Sequence, residues 1–308
     1  MNMPYKKKKP DLSIIIVSYN SRNYLDQCLK SLSKTKLKPA PEIIVVDNCS
    51  VDGTAELMND KYKNIRLILN KKNTGFAAAN NQGIKLSNGK YVLLLNPDTI
   101  VPPDCLPYMV AFMEKNPKAA VATCYIKLAD GNIDDACHRG FPTPWNAFCH
   151  FSGMSKIFPH SLLFNGYHLG YRKLGATHEI DSCTGAFMLA RRSVGETINW
   201  LDEDYFWYGE DLDFCFRVKK DGHAVYFVPQ VYINHFKGIS SGIKKHSQNL
   251  SKATFETKYR SQKARFAVMR IFYSKHYQKG INSFLAPFIF FFISLKEKLT
   301  LLKLKFVG

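Results

Sequence analysis

The chain has 308 residues, 46% of them hydrophobic, and a formal net charge of +18. That share of apolar side chains supports a packed core, in one large domain or two modest ones, and argues against disorder. The eight cysteines show no CxxC pair and the basic start, MNMPYKKKKP, lacks the apolar stretch of a secretory signal, so reduced thiols in a cytosolic setting are expected.

Residues 12–124 alternate regularly. LSIIIVSY (12–19) reads as a strand, and RNYLDQCLKSL (22–32) carries apolar residues at helical spacing. EIIVVD (42–47) is a second strand, followed by DGTAELMND (52–60), a helix opened by an acidic cap. IRLIL (65–69), the helical AAANNQGIKLS (77–87) and the strand YVLLL (91–95) continue the pattern. CLPYMVAFMEK (105–115) predicts a helix and AAVATCY (119–125) a strand. Strands separated by 10–15-residue helical patterns imply βαβ units and a doubly wound, parallel α/β sheet.

Residues 126–180 are irregular and aromatic, with no clear periodicity. Order returns at IDSCTGAFMLARRSV (180–194), DEDYFWYGEDLDFCFRVKKDG (202–222) and HAVYFVPQVYINH (223–235). Residues 248–279 read as helical and cationic, and 284–306 as apolar with lysines toward the close. The charge is uneven: from Lys237 onward fifteen Lys and Arg face two acids, Glu256 and Glu297, which places +13 of the +18 in the last 72 residues. Basic surfaces meet nucleic acid, anionic lipid or phosphorylated ligands.

Acids recur at strand ends: Asp47 after EIIVV, Asp52 opening the next helix, and Asp98 after YVLLL. Each alone is ordinary cap or turn chemistry. Together they are expected on one edge of the sheet, because every βα junction of a parallel sheet points the same way. No GxGxxG follows the first strand and no GxxxxGK[ST] occurs, which removes the dinucleotide and P-loop readings. Residues 202–213 hold six acids (Asp202, Glu203, Asp204, Glu210, Asp211 and Asp213), a density far above the chain's 25 in 308.

The segments SIIIVSYNSRNYLDQCLKSL, EIIVVDNCSVDGT, NTGFAAANNQGIKLSNGKYVLLLNPDT, TGAFMLARR and YFWYGEDLDFCFRVKKDG, in that order, resemble the successive motifs of family 2 glycosyltransferases. The resemblance runs from about residue 12 to 240. It implies the GT-A fold, Rossmann-like with a mostly parallel sheet and flanking helices, and an inverting enzyme that uses a nucleotide-sugar donor. It divides the chain into a basic arm (1–11), a catalytic domain (12–245) with a nucleotide-sugar half (12–125) and an acceptor half (126–245), and a cationic helical region (246–308).

The resemblance also implies roles. Ser18, Tyr19, Asn20, Asp47 and Asn80 would hold the nucleotide, an aspartate suiting the imide N–H of uracil or thymine. Asp98 would be the last position of the family's Asp-x-Asp element, ligating Mg²⁺ or Mn²⁺ beside the diphosphate. Asn96 stands where the first aspartate is usual; it keeps an acceptor, loses a charge, and leaves its own ligation open. His235 would complete the metal site, with Lys237, Ser240 and Ser241 near the diphosphate. Asp211 would be the general base and Glu210 the second candidate, with Gly185 and Ala186 on the acceptor side. Asp213 is expected to face the helix surroundings, and Arg191 and Arg192 to cap the next helix rather than touch substrate.

The form of the motifs is most similar to bacterial rhamnosyltransferases. dTDP-L-rhamnose is therefore the expected donor, with UDP-hexoses or UDP-galactofuranose as alternatives, and the acceptor a polysaccharide or lipid-linked saccharide. A nucleic-acid-binding protein, the rival suggested by charge, lacks RRM, KH, zinc-finger and helix-turn-helix signatures and has no use for acids at strand ends. A nucleotidyltransferase would carry a glycine-rich basic phosphate loop near the first strand, which is missing. The apolar run Phe284–Leu295, interrupted by Pro287, is too short to span a bilayer. It predicts an interfacial helix on an anionic membrane, helped by Lys6–Lys9, at the inner face of the cell membrane; the alternative is a terminal helix docked on the domain.

Overall fold

A computed structural model describes residues 10–236, 254–280 and 282–307 of the chain. Lys6–Lys9, Lys237, Ser240 and Ser241 lie outside these residues. The predicted alternation is present: β1 (Leu12–Ser18), α1 (Arg22–Leu32), β2 (Glu42–Asp47), α2 (Thr54–Lys61), β3 (Arg66–Leu69), α3 (Phe76–Leu86) and β4 (Tyr91–Leu95) follow one another. After them come β5 (Thr99–Ile100), α4 (Cys105–Lys115), β6 (Ala119–Leu128), α5 (Pro144–Ser152), α6 (Met154–Ile157), β7 (His178–Ile180), β8 (Phe187–Arg191), α7 (Arg192–Thr197), α8 (Glu210–Lys220) and β9 (Ala224–His235). Two long helices close the described chain, α9 (Phe255–His276) and α10 (Asn282–Val307).

The strands form one nine-stranded sheet in the order β3-β2-β1-β4-β8-β6-β9-β5, with β7 paired to β9. β3, β2, β1 and β4 are parallel, as the βαβ pattern requires. β6 does not continue that series beside β4. The later strand β8 inserts between them, antiparallel to both, and β6 then pairs parallel with β9. The sheet is therefore parallel in its first half and mixed in its second.

β1 and β4 are buried at every position, which explains their unbroken apolar runs: both faces of such a strand are covered. Asp52 does not cap α2 as predicted. Gly53 is the N-cap, and the Asp52 carboxylate accepts from Arg22 N–H at 2.8 Å, Thr54 N–H at 3.2 Å and the Thr54 hydroxyl at 2.6 Å. Arg191 and Arg192 brace the opposite edge from Asp98. Arg191 donates to the Tyr91 hydroxyl and to the Met113 and Ala119 carbonyls, Arg192 to Gly89 O and Ser87 Oγ. All eight cysteines are free, and only Cys49 is not buried.

α10 packs on α9 as a helical hairpin, with Phe290 against Tyr273 and Arg270 bridging to Ser294 and Glu297. The inner face of α10 is thus covered by α9, and its outer face remains apolar. No helix among the described residues is long and apolar enough to cross a membrane.

Candidate active site

The register of the sheet brings the nucleotide-side residues to one edge. Ser18 pairs with Asp47 across β1 and β2, and β4 runs beside β1 to end at Leu95, so all three carboxyl ends open together. Ligands of open α/β sheets bind at such an edge. Asp47 is buried; its Oδ2 accepts Ser50 N–H at 3.3 Å, while Oδ1 is buried without a hydrogen-bond partner. Burial pushes this carboxyl above its ordinary value. Tyr19 is exposed, whereas Ser18 is fully buried and shares a 2.8 Å hydrogen bond with Ser21. Asn20, at a positive φ of 50°, ties the edge to the next loop: its N–H donates to Ser50 Oγ and its Oδ1 accepts Val51 N–H, both at 2.9 Å. Asn80 is buried on α3, donating to Phe76 O at 2.9 Å, with its own Oδ1 unpartnered.

Beyond β4, Asn96, Asp98 and His235 converge. β5 pairs with the end of β9 so that Thr99 faces His235. His235 is buried, and its Nε2 lies 3.2 Å from Asp98 Oδ1 and 3.4 Å from Asn96 Nδ2. Across the ring, Asp134 Oδ2 stands 3.4 Å from Nδ1, an acid that sequence reasoning did not single out. Burial alone would lower the imidazole pKa, but the charges of Asp98 and Asp134 reverse this and raise it to about 9.

A carboxylate behind an imidazole fixes the orientation of its other nitrogen, an arrangement typical of metal-ligating histidines. Asp98 Oδ1 and His235 Nε2, facing one another, make an oxygen–nitrogen pair of the kind Mn²⁺ or Mg²⁺ accepts. Among the described residues no three His, Cys, Asp or Glu side chains surround one point as a metal cluster, so this pair would form only part of a shell.

The acid cluster separates into braces and site residues. Asp202 and Asp204 pair with Lys275 of α9, and Glu203 accepts from Asn81 at 2.9 Å. Asp213 is buried between Arg217 Nε and His276 Nε2, each 2.7 Å away. Burial would raise its carboxyl, but the bonds from His276 and Arg217 outweigh that and pull it below the ordinary carboxylate range. A depressed carboxyl stabilises the fold above its unfolded pKa of about 4 and loses that contribution as pH falls through the folded value. Asp213→Asn should therefore lower the unfolding free energy by about 3 kcal/mol at neutral pH by removing the charge that faces Arg217 and His276. Urea denaturation against pH checks this: the wild-type advantage should shrink below about pH 4.

Glu210 and Asp211 open α8. Gly209, at φ 88°, precedes them, and a Cβ there would fall 2.4 Å from Val268 of α9. Glu210 is buried with Oε2 unpartnered; burial, then the Asp211 charge, push it well above the usual carboxylate range. Asp211 is partly exposed. Its Oδ2 accepts Gly185 N–H at 3.2 Å with Arg139 Nη2 3.7 Å away, and its Oδ1 accepts Leu212 N–H at 2.7 Å. Ala186 O in turn accepts Asn96 N–H at 3.1 Å. Hydrogen bonds and adjacent backbone thus link Asp211 through Gly185 and Ala186 to Asn96, and so to His235 and Asp98. A Cβ on Gly185 would stand 3.1 Å from the Phe76 ring, a contact tighter than ordinary packing that would require the ring to shift by a few tenths of an ångström.

Asp134 and Arg139 both fall in the stretch that carried no periodicity. A usable signal existed in Asp130-Gly131. Gly131 takes φ 84°, the chain reverses, and Asp134 N–H returns to Ile126 O at 2.8 Å beside β6. That reversal sets Asp134 behind His235.

A family model described as "Glycosyl transferase family 2" matches residues 13–179. The N-acetylglucosaminyl-diphospho-decaprenol L-rhamnosyltransferase of Mycobacterium tuberculosis is 26% identical over 242 residues, 75% of this chain and 78% of that protein. Rhamnosyltransferase WbbL of Escherichia coli K12 is 26% identical over 230 residues, 72% of this chain and 82% of its own length. Among solved structures, the mannosyltransferase PcManGT of Pyrobaculum calidifontis, in complex with GDP-Man and Mn²⁺, superposes with a TM-score of 0.57 at 15% identity, over 98% of this chain and 75% of that one. S. aureus TarS 1-349 in complex with UDP gives 0.51 at 20% identity; 84% of this chain is covered, but just under two thirds (65%) of that one.

Proposed function

The chain belongs to glycosyl transferase family 2, and from that premise we propose that it moves one sugar, with inversion, from a nucleoside diphosphate donor to a saccharide or lipid-linked saccharide acceptor. dTDP-L-rhamnose is the first donor to test, since the two curated relatives named above are rhamnosyltransferases; UDP-hexoses and UDP-galactofuranose are the alternatives. The observation that carries the reading is the continuous path from Asp211 through Gly185–Ala186 to the Asn96–His235–Asp98 group.

In this reading the nucleotide base meets Asp47, whose unpartnered oxygen suits an imide N–H, while Tyr19, Asn20 and Asn80 line the donor edge. Asp98 and His235 would hold Mg²⁺ or Mn²⁺, which when bound neutralises charge on the diphosphate leaving group. Asp211 takes the proton from the acceptor hydroxyl as that oxygen bonds to the anomeric carbon and the nucleoside diphosphate departs. One carboxylate suffices for a single inverting displacement. Gly185 N–H and Arg139 aim it, whereas burial favours the protonated form of Glu210. The protein works as a peripheral enzyme at the inner face of the cell membrane.

Asp134→Asn should weaken metal-dependent donor binding by about 10- to 100-fold, the usual cost of losing the partner behind a ligating histidine. Calorimetric titration of Mn²⁺ with the nucleotide present would measure it. The functional reading is tested by screening nucleotide sugars for thermal stabilisation with Mn²⁺. A dTDP- or UDP-sugar should raise the melting temperature only with the metal, and failure of every nucleotide sugar to do so would overturn the reading.

A further inference from the structure

The outer face of α10 is apolar along its whole length. At 3.6 residues per turn, the side chains from Phe284 through Phe288, Phe291, Leu295 and Leu302 to Phe306 fall within roughly 60° of arc. All are exposed, Phe284 and Phe306 by 80% and 85%. On the same wheel Lys296 and Lys303 border one side of this stripe, and Lys298 and Lys305 the other. The opposite face, with Ala286, Phe290 and Glu297, is the one that docks on α9. A second apolar ridge adjoins the first: Trp145, Phe148 and Phe151 are exposed on α5, and Lys296 Nζ rests 3.7 Å over the Phe151 ring.

We propose that the outer face of α10 and the aromatic ridge of α5 form one surface that lies in the headgroup–acyl boundary of an anionic lipid bilayer. An apolar stripe between two rows of lysines matches a membrane in cross-section: rings enter the acyl region while ammonium groups stay level with the phosphates. A second copy of the chain fits less well. A twofold contact through this face would set lysine rows against lysine rows, and the sole acid of α10, Glu297, is committed to Arg270 on the inner face.

The surface is coupled to the acid pair. α9, which carries α10, abuts Gly209 through Val268, holds the Tyr208 hydroxyl through Ser261 at 2.9 Å, and binds Asp213 through His276. Docking α10 on a bilayer would therefore hold Asp211 at a set height above it, where a lipid-linked acceptor presents its sugar. That last step rests on the transferase reading; the docking does not.

The test is co-sedimentation of the full-length protein with vesicles of phosphatidylcholine alone or mixed equally with phosphatidylglycerol, without donor. The wild type should pellet with the anionic vesicles. The exposed-face variant Phe288→Ser/Phe291→Ser/Leu295→Ser should bind at least about 100-fold more weakly. Lys298→Glu/Lys305→Glu should lose more than about fivefold per lysine, with a steep salt dependence. Trp145→Ser/Phe148→Ser should also weaken binding, because α5 shares the surface. Circular dichroism and vesicle-free donor titration should be unchanged in each variant. Wild-type protein that stays in the supernatant at low salt overturns the proposal, as does an unaltered triple variant. So does a wild-type dimer, without vesicle binding, that the triple variant converts to monomer. Full binding by the α5 variant removes that ridge from the surface. Wild-type protein that binds the anionic vesicles but no nucleotide sugar would overturn the transferase reading and leave the docking standing.

Discussion

Asp211→Asn should reduce turnover by about 10²- to 10⁴-fold while donor affinity stays within a few-fold of wild type. The amide keeps the size of the side chain but only one acceptor oxygen, so one of the two bonds, from Leu212 N–H or Gly185 N–H, is kept and the other is lost. It removes the ability to take a proton. Glu210→Gln provides the contrast. Because burial and then the neighbouring Asp211 charge favour the protonated form of Glu210, its replacement by a neutral amide should cost less than about tenfold. Steady-state kinetics on the two variants separates them. An active Asp211→Asn beside a dead Glu210→Gln would reverse the roles of the pair.

Asp98→Ala should abolish detectable transfer and remove the metal dependence of donor binding. The substitution leaves His235 with the Asn96 amide and the Asp134 carboxylate but no anionic oxygen on its Nε2 side. Affinity for the nucleotide without metal should change little, because Asp47 and its loop lie two strands away on the same edge. Titrating nucleoside diphosphate with Mn²⁺ and then with chelator distinguishes the two contributions. Equal metal enhancement in wild type and variant would place the metal elsewhere.

The first half of the fold was legible because its physics is local. A buried parallel strand needs a continuous apolar run, an amphipathic helix needs its stripe, and SIIIVS, EIIVV and YVLLL satisfy the first in order. The place of β8 was not legible. Nothing in FMLAR states that it will insert antiparallel between β4 and β6; that depends on pairings remote in sequence. The same limit explains the site. Asp98 stood out at the end of a periodic strand, whereas Asp211 was one of six clustered acids and was singled out only through the family resemblance. Asp134 and Arg139 did not stand out, since their roles come from a chain reversal and from a turn that sequence periodicity does not describe. The six-acid cluster carried a mixed message: most of its members brace α8 and α9 or lie buried, and only Asp211 is both partly exposed and joined by hydrogen bonds to the Asn96 side of the site.

The alternatives for the tail were not exclusive. α10 docks on α9 through one face and presents a second apolar face outward, so a low overall amphipathicity hides two distinct surfaces. Periodicity analysis registers the contrast between apolar and polar faces, and here both faces are apolar.

The most direct test of the account is the anomeric configuration of the transferred sugar. With a stabilising nucleotide sugar, Mn²⁺ and a saccharide acceptor, proton NMR of the first product formed should show the configuration opposite to that of the donor, as a single displacement assisted by Asp211 requires. A product that retains the donor's configuration would contradict it.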